Sequence, residues 1–233
     1  MILKKVTFTG VDKWTNLKHM IELWNKNQYV EWGFLYSEKS MGVEKRYPTK
    51  KEILSYFGDN MNKSLHLCGS VVRDILENGN INYDVSYLIS MVNRVQLNFN
   101  LNRTKLNMIK FFNVINDYDK TFILQVNDNN KLFIDSIVPF IDKDKFHYLF
   151  DASGGIGIEF NEVPKPIEGK ICGWAGGLNP ENLESKLIQL EKELPKDLPI
   201  WIDMETGVRT DDYFDLSKVE KCCDIINKFN DSH

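Results

Sequence analysis

Eight times in 233 residues a short apolar or β-branched run ends in a small or polar residue and is followed by a stretch able to form a helix. The runs are Lys5 to Thr9, Val30 to Ser37, Leu65 to Gly69, Val95 to Asn100, Thr121 to Val126, Tyr148 to Ser153, Gly173 to Leu178 and Ile200 to Gly207. Their starts lie about 25 to 35 residues apart, the length of one strand, one crossover helix and two short loops. With no Gly-, Ser- or Pro-rich linker to divide the chain, this recurrence predicts one (β/α)8 TIM-barrel domain over residues 1–233. In such barrels the reactive groups collect at the C-terminal ends of the strands, so the last residues of each run are where chemistry is expected.

Apolar residues at 42% and charged residues at 27% provide for a barrel core and an outer ring of helices, and exclude a disordered chain. The 29 basic and 33 acidic residues are mixed along the chain, leaving no basic stripe to follow a nucleic-acid backbone. The opening residues read as a strand, not as a signal peptide, and no apolar run reaches membrane-spanning length. A cytoplasmic protein without nucleic-acid or membrane partners is expected. Cys68, Cys172, Cys222 and Cys223 lack metal-ligand spacing and are expected to be free thiols.

Trp14, Leu17, Ile21 and Trp24 recur at helical spacing and are expected to pack on the sheet; Leu106, Ile109, Phe112 and Ile115 repeat the pattern, as do Leu216, Val219 and Cys223. Pro164 and Pro166 forbid a normal helix between strands six and seven, so that crossover should be irregular.

Three strand ends carry candidate chemistry. Strand seven ends in Ala175-Gly176-Gly177-Leu178-Asn179-Pro180-Glu181-Asn182, where two glycines allow close approach of backbone N–H groups and Asn179 with Pro180 can start a helix. Strand eight ends in Asp203-Met204-Glu205-Thr206-Gly207-Val208, a second glycine turn. Phosphate in these barrels is frequently held between those two loops. Strand six ends in Asp151 followed by Gly154 and Gly155, a carboxylate at the lip with a glycine loop able to fold over a ligand.

Read together, Thr-Gly after strand one, Gly-Phe-x-Tyr-Ser with a later Arg-Tyr after strand two, Val-Gln-Leu in strand four, Asp with Gly-Gly-x-Gly after strand six, Ala-Gly-Gly-Leu-Asn-Pro-Glu-Asn, and Asp-x-x-x-Gly-Val resemble phosphoribosylanthranilate isomerase from Val6 to about Asp215. The resemblance implies an Amadori rearrangement of an aminoaldose phosphate to an aminoketose phosphate, a step of tryptophan biosynthesis, run by one general acid and one general base without a cofactor or metal. It implies Asp151 as the acid, Arg46 on the substrate carboxylate, and phosphate on Gly176, Gly177, Gly207 and Val208, with Gly154 and Gly155 in the covering loop.

The chain departs from that pattern at three positions. Thr9 stands where the family has the cysteine whose thiolate is the base, Asn98 where it commonly has histidine, and Glu205 where it has serine. A threonine hydroxyl is too weak an acid to serve as a base near neutral pH without an activating partner. The candidate bases are Cys68, which shares strand parity with His66, Glu205, which shares it with Asp203, and Thr9 itself; His66 and Cys68 read first as packing inside the barrel, and Glu205 equally as a structural ion pair. A Schiff-base aldolase is disfavoured because Lys5 lies at the start of its strand. Two readings stay open: an aldose–ketose isomerase, which leads, and a protein that binds a phosphorylated sugar or nucleotide-like ligand without converting it. Monomer and homodimer are both compatible with the sequence.

Overall fold

In a computed structural model, which describes residues 1–140, 145–151, 159–160 and 162–232, eight parallel strands close on themselves. They are β1 (Ile2–Thr9), β2 (Val30–Tyr36), β3 (Lys63–Cys68), β4 (Arg94–Asn98), β5 (Thr121–Val126), β6 (Phe146–Phe150), β7 (Cys172–Ala175) and β8 (Pro199–Met204). Sequential neighbours pair throughout, and β1 closes the cylinder against β8 with Thr7 beside Asp203 and Phe8 beside Met204. All eight expected strands are present.

The helices are distributed unevenly around this cylinder. They are α1 (Leu17–Lys26), α2 (Lys50–Ser55), α3 (Ser70–Asn78), α4 (Tyr83–Ser90), α5 (Met108–Asn116), α6 (Lys131–Ile137), α7 (Leu183–Glu193) and α8 (Leu216–Ser232). Two of them, α3 and α4, share the crossover from β3 to β4. The described residues of the β6-to-β7 crossover hold no helix, as Pro164 and Pro166 require. The Trp174 indole of β7 donates to the Pro164 carbonyl at 3.2 Å, fastening that irregular segment to the sheet.

Strand alternation sorts the apolar residues into two bodies. Val6, Phe8, Trp32, Phe34, Leu65, Leu67, Val95, Leu97, Phe122, Leu124, Trp174 and Ile202 face the helices and form the main core. Inside the cylinder the apolar filling is small, with Ile123, Leu149 and Trp201 as its buried members. The rest of the interior is polar. Glu31 of β2 lies fully buried, and Arg94 of β4 donates to it from Nε at 3.0 and 3.1 Å and from Nη2 at 2.6 Å. Lys5 donates to the same carboxylate at 3.1 Å and Thr7 at 3.0 Å, while the guanidinium lies 4.2 Å from the Trp201 ring centroid.

Two helical phases differ from the expectation. Trp14 precedes α1, whose N-cap is Asn16, and is 52% exposed; the fully buried positions of that helix are Met20 and Leu23, with Trp24 only partly covered. In α5 the buried face is Phe111, Val114 and Ile115, and Ile109 is 76% exposed. That helix is apolar on several sides, so contact with α3 rather than spacing selects the inner face. In α8, Leu216, Val219 and Cys223 are buried as expected.

Candidate active site

The tips of β7 and β8 are forced together by glycine. Gly176 and Gly177 take φ values of 118° and 63°, the left-handed region that side chains rarely adopt. Asn179 Oδ1 accepts from the Glu181 N–H at 2.9 Å and the Asn182 N–H at 3.1 Å, capping the turn that leads into α7. The side-chain amides of Asn179 and Asn182 donate to the Gly177 carbonyl at 3.0 and 2.9 Å, which pins the glycine pair. In the turn after β8, a Cβ at Gly207 would overlap the Leu178 carbonyl oxygen and come within 2.8 Å of Asn179 Cβ. Only glycine lets the two tips meet.

Gly176, Gly177, Leu178, Asn179, Thr206 and Gly207 line one side of a cavity of about 460 Å³ at the C-terminal mouth of the barrel. Among the described residues, the N–H groups of Gly176, Gly177 and Gly207 have no acceptor. Val208 lies buried below them and donates its own N–H to the Glu205 carbonyl at 3.2 Å, outside the cavity lining. Gly154 and Gly155 lie outside the described residues.

Three carboxyl groups line the same cavity: Asp151 after β6, Asp203 in β8 and Glu205 beyond it. Asp151 is buried, with the Gln125 side-chain amide 3.4 Å from its Oδ2. Asp203 accepts from the Thr9 hydroxyl at 2.6 Å. Burial, then the nearby Glu205 and Asp151 carboxylates, push Asp203 up to about 8 against the pull of that hydrogen bond. Thr9 is fully buried and is the donor in this pair, below the cavity rather than on its wall. Gln96 also lines the cavity; it is 2% exposed, and its Oε1 has no partner among the described residues.

Arg46 belongs to the loop after β2, which folds toward β8. Its Nη1 donates to Glu205 Oε1 at 2.7 Å and its Nη2 to Asp212 Oδ1 at 2.6 Å. Asp212 sits with Asp211 at φ values of 60° and 52°, in the turn joining β9 (Arg209–Thr210) to β10 (Tyr213–Phe214). Arg209 holds that turn through the Asp212 carbonyl at 2.6 Å. Burial raises the Glu205 carboxyl, while Arg46 pulls it down without cancelling the effect. Arg46 itself is not among the residues lining the cavity.

Cys68 ends β3 away from the cavity lining, accepting from the Asn98 amide at 3.3 Å, and burial pushes its thiol up to about 11. A thiol so protonated is a poor base near neutrality. His66 is buried with its Nε2 3.0 Å from the Ser64 hydroxyl, and burial takes it down to about 3, leaving a neutral ring inside the barrel. Among the described residues no group of three or more His, Cys, Asp or Glu could hold a metal ion. No described helix is long and apolar enough to cross a membrane.

Asp203 and Gln96 were not singled out by sequence reasoning. Asp203 shares strand parity with Glu205, the residue that parity brings to the mouth, but its partner Thr9 is 194 residues away and becomes a neighbour only on closure.

No protein-family model and no curated protein matches the chain. Solved structures do. Phosphoribosylanthranilate isomerase from Thermotoga maritima, solved as monomers of a dimeric enzyme, superposes with a TM-score of 0.61 at 17% identity, covering 97% of this chain and 99% of that one. The isomerase from Thermus thermophilus gives 0.61 at 15% identity, over 97% and 99%. A truncated 3-deoxy-D-arabino-heptulosonate 7-phosphate synthase from Thermotoga maritima gives 0.56 at 9%, over 99% and 88%. At these identities the likeness establishes one thing: the chain has the barrel fold that the phosphoribosylanthranilate isomerases share.

Proposed function

We propose that this barrel is an isomerase of the phosphoribosylanthranilate isomerase type, converting a phosphorylated aldose amine to the ketose amine with Asp151 and Asp203 as its proton-transfer pair. The observation that carries this reading is the position of the two carboxyls on the strands either side of β7, lining the cavity that the glycine tips also line. The substrate phosphate accepts from the N–H groups of Gly176, Gly177 and Gly207. The pair reacts with one proton between its two carboxyls, in the form that carries it on Asp151 and leaves Asp203 ionised: Asp151 gives that proton to the ring oxygen, the C1–O bond breaks and the amine lone pair forms an iminium. Asp203 then removes the proton from C2, leaving an enolamine that tautomerises to the ketone. A sugar hydroxyl donates to Gln96 Oε1, supplying the partner that this buried atom lacks.

Thr9 supports this arrangement as a positioning residue. Its hydroxyl is bonded to one oxygen of Asp203 at 2.6 Å, so it orients the carboxyl that it cannot replace as a base. The basicity of Asp203, at about 8, lies close to the ordinary thiol value of roughly 8.5, so one hydrogen bond away from Thr9 there is a base of thiolate strength.

The test is incubation of the purified protein with phosphoribosylanthranilate, following loss of its fluorescence. Turnover is expected, falling at least about a hundredfold in Asp151→Asn and in Asp203→Asn. Tight binding without conversion, or turnover that appears only in Thr9→Cys, would overturn the catalytic reading and leave a sugar-phosphate binding protein.

A further inference from the structure

An enzyme that handles a ligand with two anionic ends needs a cation for each end that the backbone does not serve. Arg46 is spent. Both its terminal nitrogens are engaged by carboxylates of the chain itself, Glu205 at 2.7 Å and Asp212 at 2.6 Å, so a ligand carboxylate would have to displace one of them.

Arg103 is in the opposite condition. Among the described residues it is the one Lys or Arg that lines the cavity, it is exposed, and no acidic group pairs with it. Its loop follows β4, which lies diametrically across the cylinder from β8. The glycine tips and Arg103 therefore face each other over the mouth.

The loop carrying Arg103 is built, not loose. Asn130 is fully buried; its amide donates to the Phe99 carbonyl at 2.9 Å and its Oδ1 accepts from the Leu101 N–H at 3.2 Å. Asn100 Oδ1 accepts from the Asn102 N–H at 2.9 Å, and the Asn100 carbonyl takes the Arg103 N–H at 3.0 Å. The Asn102 side chain bonds Asn129 at 2.6 Å. Side-chain caps at successive positions fix where the Arg103 backbone stands.

We infer that Arg103, not Arg46, is the cation that grips a carboxylate on the ligand at the end remote from its phosphate. The guanidinium fork suits a carboxylate, and its siting across from the phosphate cradle selects ligands that carry the two anions at opposite ends. Arg46 instead braces the β2 and β8 loops. This inference rests on the sugar-phosphate reading above and deepens it by naming the residue that recognises the amine substituent.

Calorimetric titration with two matched probes tests it: 1-(2-carboxyphenylamino)-1-deoxyribulose 5-phosphate and its phenylamino counterpart without the carboxylate. Arg103→Ala is expected to weaken the carboxylated probe about tenfold or more and to leave the other within about twofold, with Arg103→Lys between. Inorganic phosphate is expected to compete with both probes. Equal affinities in Arg103→Ala and the parent, together with a selective loss for the carboxylated probe in Arg46→Gln, would overturn the assignment while phosphate competition kept the underlying site intact. If neither probe nor phosphate binds the parent protein, the sugar-phosphate reading falls and takes this inference with it. Circular dichroism of each variant separates lost contacts from lost folding.

Discussion

Glu31 and Asp203 are both carboxyl groups buried inside the same cylinder, and the chain treats them in opposite ways. Glu31 receives a guanidinium, an ammonium and a hydroxyl; burial resists, but Arg94 and Lys5 hold it down at about 2. Asp203 receives the Thr9 hydroxyl and faces two further carboxylates, and it stands at about 8. Where the barrel supplies cations, a buried carboxylate becomes part of the frame. Where it supplies a hydroxyl and like charges, the carboxyl keeps a proton that it can exchange near neutral pH.

Breaking the frame should have the largest effect. Glu31→Ala leaves Arg94 buried without its partner and should cost about 3–5 kcal/mol in denaturant unfolding, most of it recovered when Arg94→Met is added. At the mouth, Asp203→Asn should abolish the rise of kcat/KM with an inflection near pH 8 while leaving the protein folded. The same variant tests linkage. The folded state keeps the Asp203 proton up to about 8 and the unfolded chain loses it near about 4, so native Asp203 lowers stability as pH rises through that window, and the variant should flatten the slope. For Glu31 the sign reverses: its stabilisation is present above about 4 and is lost as pH falls toward 2.

Gly207→Ala should drive the two tips apart, costing about 1–3 kcal/mol of stability by thermal melting and weakening competition by inorganic phosphate. Thr9→Val should have the smallest effect, about 1 kcal/mol, by removing the hydroxyl while keeping the shape. It sharpens the contrast, because Asp203 then loses its stabilising hydrogen bond and the kcat/KM inflection should move to higher pH.

The barrel was legible because strand, helix and two loops occupy a nearly constant length, and that length recurs through the chain. The meeting of the β7 and β8 tips was legible because glycines at strand ends mark places where backbone approaches closely. The helical phases at Trp14 and Ile109 misled for different reasons: Asn16 caps α1 after Trp14 has already passed, and α5 offers an apolar residue in every phase. The capture of Arg46 was hidden for a third reason. It depends on Asp212 being turned toward the loop after β2 by a left-handed pair of aspartates that Arg209 clamps. No local pattern announces a partner 166 residues away.

Arg209 also carries a consequence for synthesis. It is buried, donates to the Gly10 carbonyl, and meets the Asp12 carboxylate at 3.1 Å across 197 residues of chain. As a ribosome releases the polypeptide from its first residue onward, β1 waits with one edge unsatisfied until this late arginine and the strand before it emerge. Nascent chains stalled short of that point would expose an open sheet edge, and chaperone engagement should concentrate there.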